Sequence, residues 1–170
     1  MAREEAMAKF VPLRLIGVGT PEIESAASFM FRLASVHGIN VARMNDVLLA
    51  HLLSDRNFSL INPIRTGGKS GLSTYCRPVA SSAQFRLAVK QYIGEDNIDK
   101  ACVLPICIEM PAESWSLIDG PIRWCPQCLS EDIAGGGVPY LRLIWQFSLA
   151  KVCLRHWVKL ERACPCCGFE

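Results

Sequence analysis

The sequence lacks any apolar run approaching the 18 or more residues that a transmembrane helix needs, which excludes an integral membrane protein. Met1–Lys9 is polar and mixed in charge, without the basic start, apolar core and cleavage site of a signal peptide. The chain is therefore expected inside the cell, in the cytoplasm. Net charge is scarce too: 18 basic against 16 acidic side chains leave +2, too little to prove a nucleic-acid partner. No repeat of solenoid length is visible. The Gly-Lys-Ser within Thr66–Ser70 lacks the earlier glycine of a phosphate-binding loop, because Pro63 stands there, so the chain is not expected to be an ATPase. His37 and His51 fall in or beside predicted helices with no evident acid partner, which leaves little for nucleophilic catalysis to build on.

What is present suffices for a core. The 170 residues are 51% hydrophobic and 20% charged, the size of one domain or two small ones. Residues 1–121 carry 12 basic and 12 acidic side chains, whereas residues 122–170 carry 6 and 4. The turn-forming run Asp119-Gly120-Pro121 marks the change, giving a helical region over 1–120 and a second region over 121–170. In the first, Thr20 suits an N-cap and Pro21 the first helical position. Ile23, Ala26, Ala27, Met30, Leu33 and Ala34 then follow helical spacing up to Gly38. Further helices are predicted over Val41–Leu53, from Ser81 or Ser82 to Gly94, and over Glu95–Val103. Arg56–Ala80 has neither period and reads as a long loop. In the second region Leu141, Leu143, Trp145, Phe147 and Leu149 alternate with Arg142, Ile144, Gln146 and Ser148, which predicts a half-buried strand. The expected class is α+β, a helical region followed by a small zinc-knuckle or ribbon-like region with short strands.

Nine cysteines are the outlier. In a reducing compartment, closely paired cysteines hold metal or do redox chemistry. Cys76, Cys102 and Cys107 are scattered and read as small buried apolar residues. The other six crowd the last quarter, where five of them and His156 form three pairs, Cys125-Pro-Gln-Cys128, Cys153-Leu-Arg-His156 and Cys164-Pro-Cys-Cys167, with Cys166 inside the last. Two ligands separated by two residues bend around one ion, and two such knuckles supply the four tetrahedral N/S ligands of structural zinc. Cys125, Cys128, Cys153 and His156 make one complete set. Pairing Cys125/Cys128 with Cys164/Cys167 is the other arrangement. Cys164 and Cys167 otherwise form half of a second site, and Cys166, adjacent to Cys167, is poorly placed to help. About 50 residues bury too little to fold well alone, and a structural zinc contributes roughly 10–16 kcal/mol of apparent binding energy. Trp124-Cys125-Pro-Gln-Cys128 also has the form of a thioredoxin-like redox motif, but a loop precedes it and further ligand pairs follow. Arg142, Lys151, Arg155, Lys159 and Arg162 surround the cysteines, either as a solvated face or as phosphate contacts.

These residues resemble the TniQ/TnsD family of transposition proteins. The resemblance rests on Arg123-Trp-Cys-Pro-Gln-Cys128, Arg142-Leu-Ile-Trp145, Cys153-Leu-Arg-His156 and Cys164-Pro-Cys-Cys-Gly168 in that order. Pro12-Leu13, Glu24-Ser25, Ser28, Phe31-Arg-Leu-Ala34 and His37-Gly38 match the family's opening pattern. It implies a non-catalytic target-selection adaptor. Such a protein connects target DNA or an RNA-guided CRISPR effector complex to the AAA+ ATPase of a Tn7-like or Tn5053-like transposon, at the bacterial nucleoid. It implies zinc at Cys125, Cys128, Cys153 and His156, with Cys164 and Cys167 matching the start of a second site. Members usually continue past that pair, so this chain reads as a C-terminally abbreviated member in which autonomous sequence recognition is weakened. A homo-oligomer is compatible with this role. The alternative is a stand-alone zinc-dependent DNA-binding regulator.

Overall fold

The computed structural model describes residues 10–54, 72–77, 79–103, 117–118, 122–163, 166 and 168. Among the described residues three helices form the first part: α1 (Ala26–Val36), α2 (Val41–Ser54) and α3 (Ala80–Ala88). The chain leaves α3 through a π turn, Val89–Ile93, and a 3₁₀ turn follows over Asp96–Ala101. Another 3₁₀ turn, Leu72–Cys76, precedes α3. The last helix, α4 (Pro126–Ala134), belongs to the cysteine-rich part, which also holds a 3₁₀ turn at Leu143–Gln146. No helix among the described residues is long and apolar enough to cross a membrane.

Helix α1 carries the main core. Its apolar stripe buries Ala26, Ala27, Phe29, Met30, Leu33 and Ala34 against Met44, Leu48 and Leu52 of α2, and Phe85 and Ala88 of α3. Burying each large side chain contributes roughly 1.5–3 kcal/mol. Asn40 accepts a hydrogen bond from Arg43 N at the start of α2 (2.8 Å). Gly38, at φ 65°, and Gly94, at φ 77°, end α1 and the π turn in a left-handed conformation that a side chain would strain. Cys76 and Cys102 are buried, as expected of small apolar residues, and burial pushes the Cys76 thiol up to about 12.

Three expectations need correction. Helix α1 starts at Ser25, not Thr20. Thr20 instead closes a turn, its hydroxyl donating to Gly17 O (2.8 Å) and accepting from Glu22 N (3.2 Å). Ser25 Oγ then accepts from Ser28 N. Second, the segment predicted as a helix over Glu95–Val103 forms the 3₁₀ turn, with Glu95 accepting from Asn97 N at 2.9 Å. Third, Leu141–Leu149 is no strand. The only β pairing among the described residues is three isolated bridges, Glu24 with Arg142, Trp124 with Glu161 and Val152 with Lys159, so the described residues bear out the helical region and the Cys/His cluster of the expected α+β class but not its short strands. The alternation arose because the segment serves two cores in turn. Leu143 joins the helical core and Trp145 the cysteine cluster, while the polar Gln146 that follows them is buried as well. The boundary run 119–121, most of the loop 56–80, Thr66–Ser70, and Cys107 lie outside the described residues.

Two buried charges fasten the parts together. Glu24 is fully buried and accepts from Ile16 N (3.3 Å), Ser28 Oγ (2.9 Å) and Arg32 Nη1 (2.6 Å). Burial raises its pKa and Arg32 opposes the rise. Beside it, Ser25 N donates to Leu141 O (2.8 Å), Leu143 N to Ile23 O (2.8 Å) and Leu141 N to Ser28 Oγ (2.9 Å). Arg142, 2% exposed, grips Asp132 of α4 with two parallel hydrogen bonds of 2.8 Å and reaches Glu22 through Nε at 2.8 Å. Its guanidinium lies over Tyr140 and Trp145, 4.3 and 4.8 Å from the ring centroids. Burial works against its charge, but the bonds to Asp132 and Glu22 prevail and hold its pKa above the ordinary value. Breaking such a buried pair from one side costs about 3–5 kcal/mol. Arg142→Ala is therefore expected to lower unfolding free energy by about that amount in urea denaturation, whereas Arg43→Ala, at an exposed site, should change it by less than about 0.5 kcal/mol.

Candidate metal centre

Cys125, Cys128, Cys153 and His156 converge so that all four ligand atoms lie within 4.8 Å of one another. Cys128 Sγ is 3.7 Å from Cys153 Sγ and 3.2 Å from His156 Nδ1, which is itself 3.5 Å from Cys125 Sγ and 3.7 Å from Cys153 Sγ. Zinc, with bonds of about 2.3 Å to sulfur and 2.0–2.1 Å to nitrogen, separates tetrahedral ligand atoms by about 3.5–3.8 Å. Donor chemistry and spacing thus both fit a Cys₃His zinc. Of the two arrangements open to the sequence, the structure assembles Cys125/Cys128 with Cys153/His156. Cys164 and Cys167 lie outside the described residues, and Cys166 is exposed.

Local chain geometry explains how each pair closes. Cys125 is the N-cap residue of α4 and Pro126 fills its first position, so Cys128 sits on the first turn with Leu129 N bonded to Cys125 O. A helix N-terminus favours thiolate. The second pair lies in a tight turn closed by Cys153 N to Val158 O and Trp157 N to Cys153 O, both 2.8 Å. Trp157 takes the left-handed conformation there, at φ 59°. Trp145 and Leu160 pack on the sulfurs, with Trp124, Leu129, Ile144 and Val158 around them. When bound, the ion cross-links α4 to the 153–158 turn.

The surroundings divide the protons unevenly. Burial raises the Cys128 thiol, aided by hydrogen bonds with Cys153 and Cys125. Burial also opposes ionisation of Cys153, yet hydrogen bonds from the His156 and Arg155 backbone, and from the His156 and Cys125 side chains, bring it to about 7. His156 Nε2 lies 2.9 Å from Glu131 Oε1. That contact raises the imidazole pKa and lowers that of Glu131. With Nε2–H donating to Glu131, Nδ1 keeps its lone pair for the cluster, the carboxylate–histidine arrangement that orients a metal ligand. Sequence reading missed Glu131. Its signal was its position three residues beyond Cys128, one turn along the same helix.

The basic residues separate into three groups. Arg142 is corrected from a phosphate contact to a buried structural clamp with no exposed guanidinium. Arg155 is exposed and paired with Glu131 at 2.9 Å. Lys151, Lys159 and Arg162 are exposed and line one pocket with Arg123, which sequence reading passed over as a site residue. His37 accepts from Val11 N and packs edge-on against Phe10, and His51 packs against Phe10 and Tyr92, so both serve structure.

Two outcomes test the centre. Cys128→Ser is expected to abolish stoichiometric zinc, read by metal analysis of the purified chain, and to expose residues 122–163 to hydrogen exchange, because folding and metal binding are coupled. Glu131→Gln should leave the fold intact, since the side chain is 47% exposed, but weaken zinc about 10–100-fold in a chelator competition.

No curated protein matches this chain. A family model described as TniQ matches residues 15–160, a span that takes in the α1 cap, the Arg142 clamp and all four ligands of the metal centre. On that match over most of its length, the chain belongs to the TniQ family.

Proposed function

We propose that this chain is a non-catalytic adaptor in transposition target selection, linking a target-recognition component to the AAA+ ATPase of a Tn7-like or Tn5053-like transposon. The observation that carries the reading is the TniQ match over residues 15–160, because the family's part in transposition is target selection. The target signal is either DNA itself or an RNA-guided CRISPR effector complex. The metal centre acts as a cross-link that holds a presenting surface rigid.

Two features support a docking role. Leu149, Leu154 and Trp157 are 81%, 64% and 78% exposed beside the centre, and Leu149, Val152 and Leu154 line an apolar groove with Ile144. Apolar surface kept so near a folding-essential site fits contact with another protein. Trp157 also accepts a left-handed backbone, which costs about 1–2 kcal/mol, while burying little of its ring. The turn that presents Cys153 and His156 uses that backbone, but the ring itself stays outside, which is consistent with a ring kept for recognition.

The test is recruitment. The zinc-loaded chain, mixed with the ATPase encoded beside it and with duplex DNA, is expected to co-elute with the DNA-assembled ATPase. Leu154→Asp with Trp157→Asp, both exposed, should abolish co-elution while preserving zinc content. Absence of co-elution together with tight, sequence-specific binding of DNA alone would replace the adaptor with a stand-alone DNA-binding regulator.

A further inference from the structure

Three arginines of the described chain are buried, and they differ in one respect. Arg86 meets Asp99 at 3.0 Å, and Arg142 meets Asp132 and Glu22. Arg123, 3% exposed, meets no carboxylate among the described residues. Its Nη1 donates to Phe147 O (2.7 Å) and Ala150 O (3.4 Å), which pins the guanidinium in place. Its Nε is buried with no hydrogen-bond partner. A buried charge with an unsatisfied donor is costly unless something supplies the missing acceptor.

The fold gathers further cations around it. The Trp124–Glu161 bridge sets Arg123 opposite Arg162, and the Val152–Lys159 bridge, with Leu160 N bonded to Lys151 O, sets Lys151 opposite Leu160 and one position from Lys159 across the pair. All four line one open pocket of about 340 Å³. Glu161 lines it too, but forms no ion pair with any of them. Among the described residues four cations and the single carboxylate of Glu161 surround a buried donor with no hydrogen-bond partner, so the pocket keeps an excess of positive charge.

We propose that Arg123, Lys151, Lys159 and Arg162 form a seat for one backbone phosphate of a nucleic acid. Arg123 is the fixed floor and the three exposed cations the walls. A guanidinium fixed through Nη1, with Nε lacking a partner, has donor capacity left for a phosphate oxygen, and flexible lysines close around the rest of its charge. The seat deepens the nucleic-acid arm of the proposed adaptor and rests on that reading only there. Arg123 and Lys151 each lie two residues before a zinc ligand, so the seat is assembled by the metal fold.

The test measures anisotropy of a labelled 20-base-pair duplex and a 20-nucleotide single-stranded RNA with the zinc-loaded chain across a salt series. The double variant Lys159→Gln, Arg162→Gln removes only exposed groups. It should weaken binding of whichever probe the wild type holds by about tenfold and reduce the log K against log salt slope by about 1. Arg123→Lys, which keeps the charge and loses the fork, should weaken binding similarly at unchanged zinc content. Lys100→Gln, far along the chain, should do neither. Unchanged affinity and slope in the double variant overturn the proposal even if the Arg123 variant fails to fold. So does a wild type that binds neither probe, including one that binds only inorganic phosphate by calorimetry. Recruitment of the ATPase is scored separately. The double variant keeps Leu154 and Trp157 and should still co-elute with the DNA-assembled ATPase, so loss of the seat and loss of the adaptor role give different results.

Discussion

Three thiols held within 4.8 Å of one another and of an imidazole cannot all become thiolates beside that neutral ring unless a metal cation sits among them. The remaining cysteine-rich structure follows from that constraint. Without the ion, the site compromises, one thiol kept protonated by burial and another lowered by backbone hydrogen bonds. With it, α4 and the 153–158 turn are tied at a single point. The small apolar cluster around Trp145 and Leu160 is far poorer than the helical core, so it depends on that tie rather than on burial. Glu131 belongs to the same device, because it fixes which imidazole nitrogen faces the ion.

The tie alone would leave the cysteine-rich part attached only through chain connectivity. Glu24 and Arg142 prevent this from opposite sides of one backbone bridge. Glu24 gathers the cap of α1 and Arg32, while Arg142 gathers Asp132 of α4 and Glu22. A displacement of α4 would therefore pull on the N-terminus of α1. Each charge is fully enclosed by hydrogen-bonding partners, the condition under which a buried ion is tolerated and under which its removal is most disruptive. Polar registration of this kind is directional where apolar packing is not, and it sets the angle at which the metal centre is presented.

What could be read from the sequence was whatever is encoded locally. Cys125, Cys128, Cys153 and His156 announce themselves by residue type and spacing, and the apolar stripe of α1 by its period. The opening pattern of Glu24, Ser25, Ser28 and Arg32 was legible as a resemblance before it had a physical meaning. The structure supplies one: N-cap, buried carboxylate, its hydroxyl donor and its counter-ion. What failed was nonlocal. Arg142 looks like any surface cation until its distant partners Glu22 and Asp132 are known. The Leu141–Leu149 alternation mimics a strand because two separate cores claim neighbouring residues. Thr20-Pro21 carries good capping chemistry, but the bridge to Arg142 holds the next residues extended and delays the helix to Ser25.

The same bridges that build the centre also shape its outer surface. Lys151 lines both the apolar groove of Ile144, Leu149, Val152 and Leu154 and the basic pocket around Arg123. The two patches therefore adjoin, and one segment, 149–162, which carries Cys153 and His156, contributes to both. A protein partner seated on the groove would lie next to any phosphate held at Arg123, so occupancy of one patch would alter the electrostatics and access of the other. Joint presentation of the apolar groove and the basic pocket needs no conformational switch within the chain. It needs only that the segment be rigid, which the metal centre and the Arg142 clamp together provide.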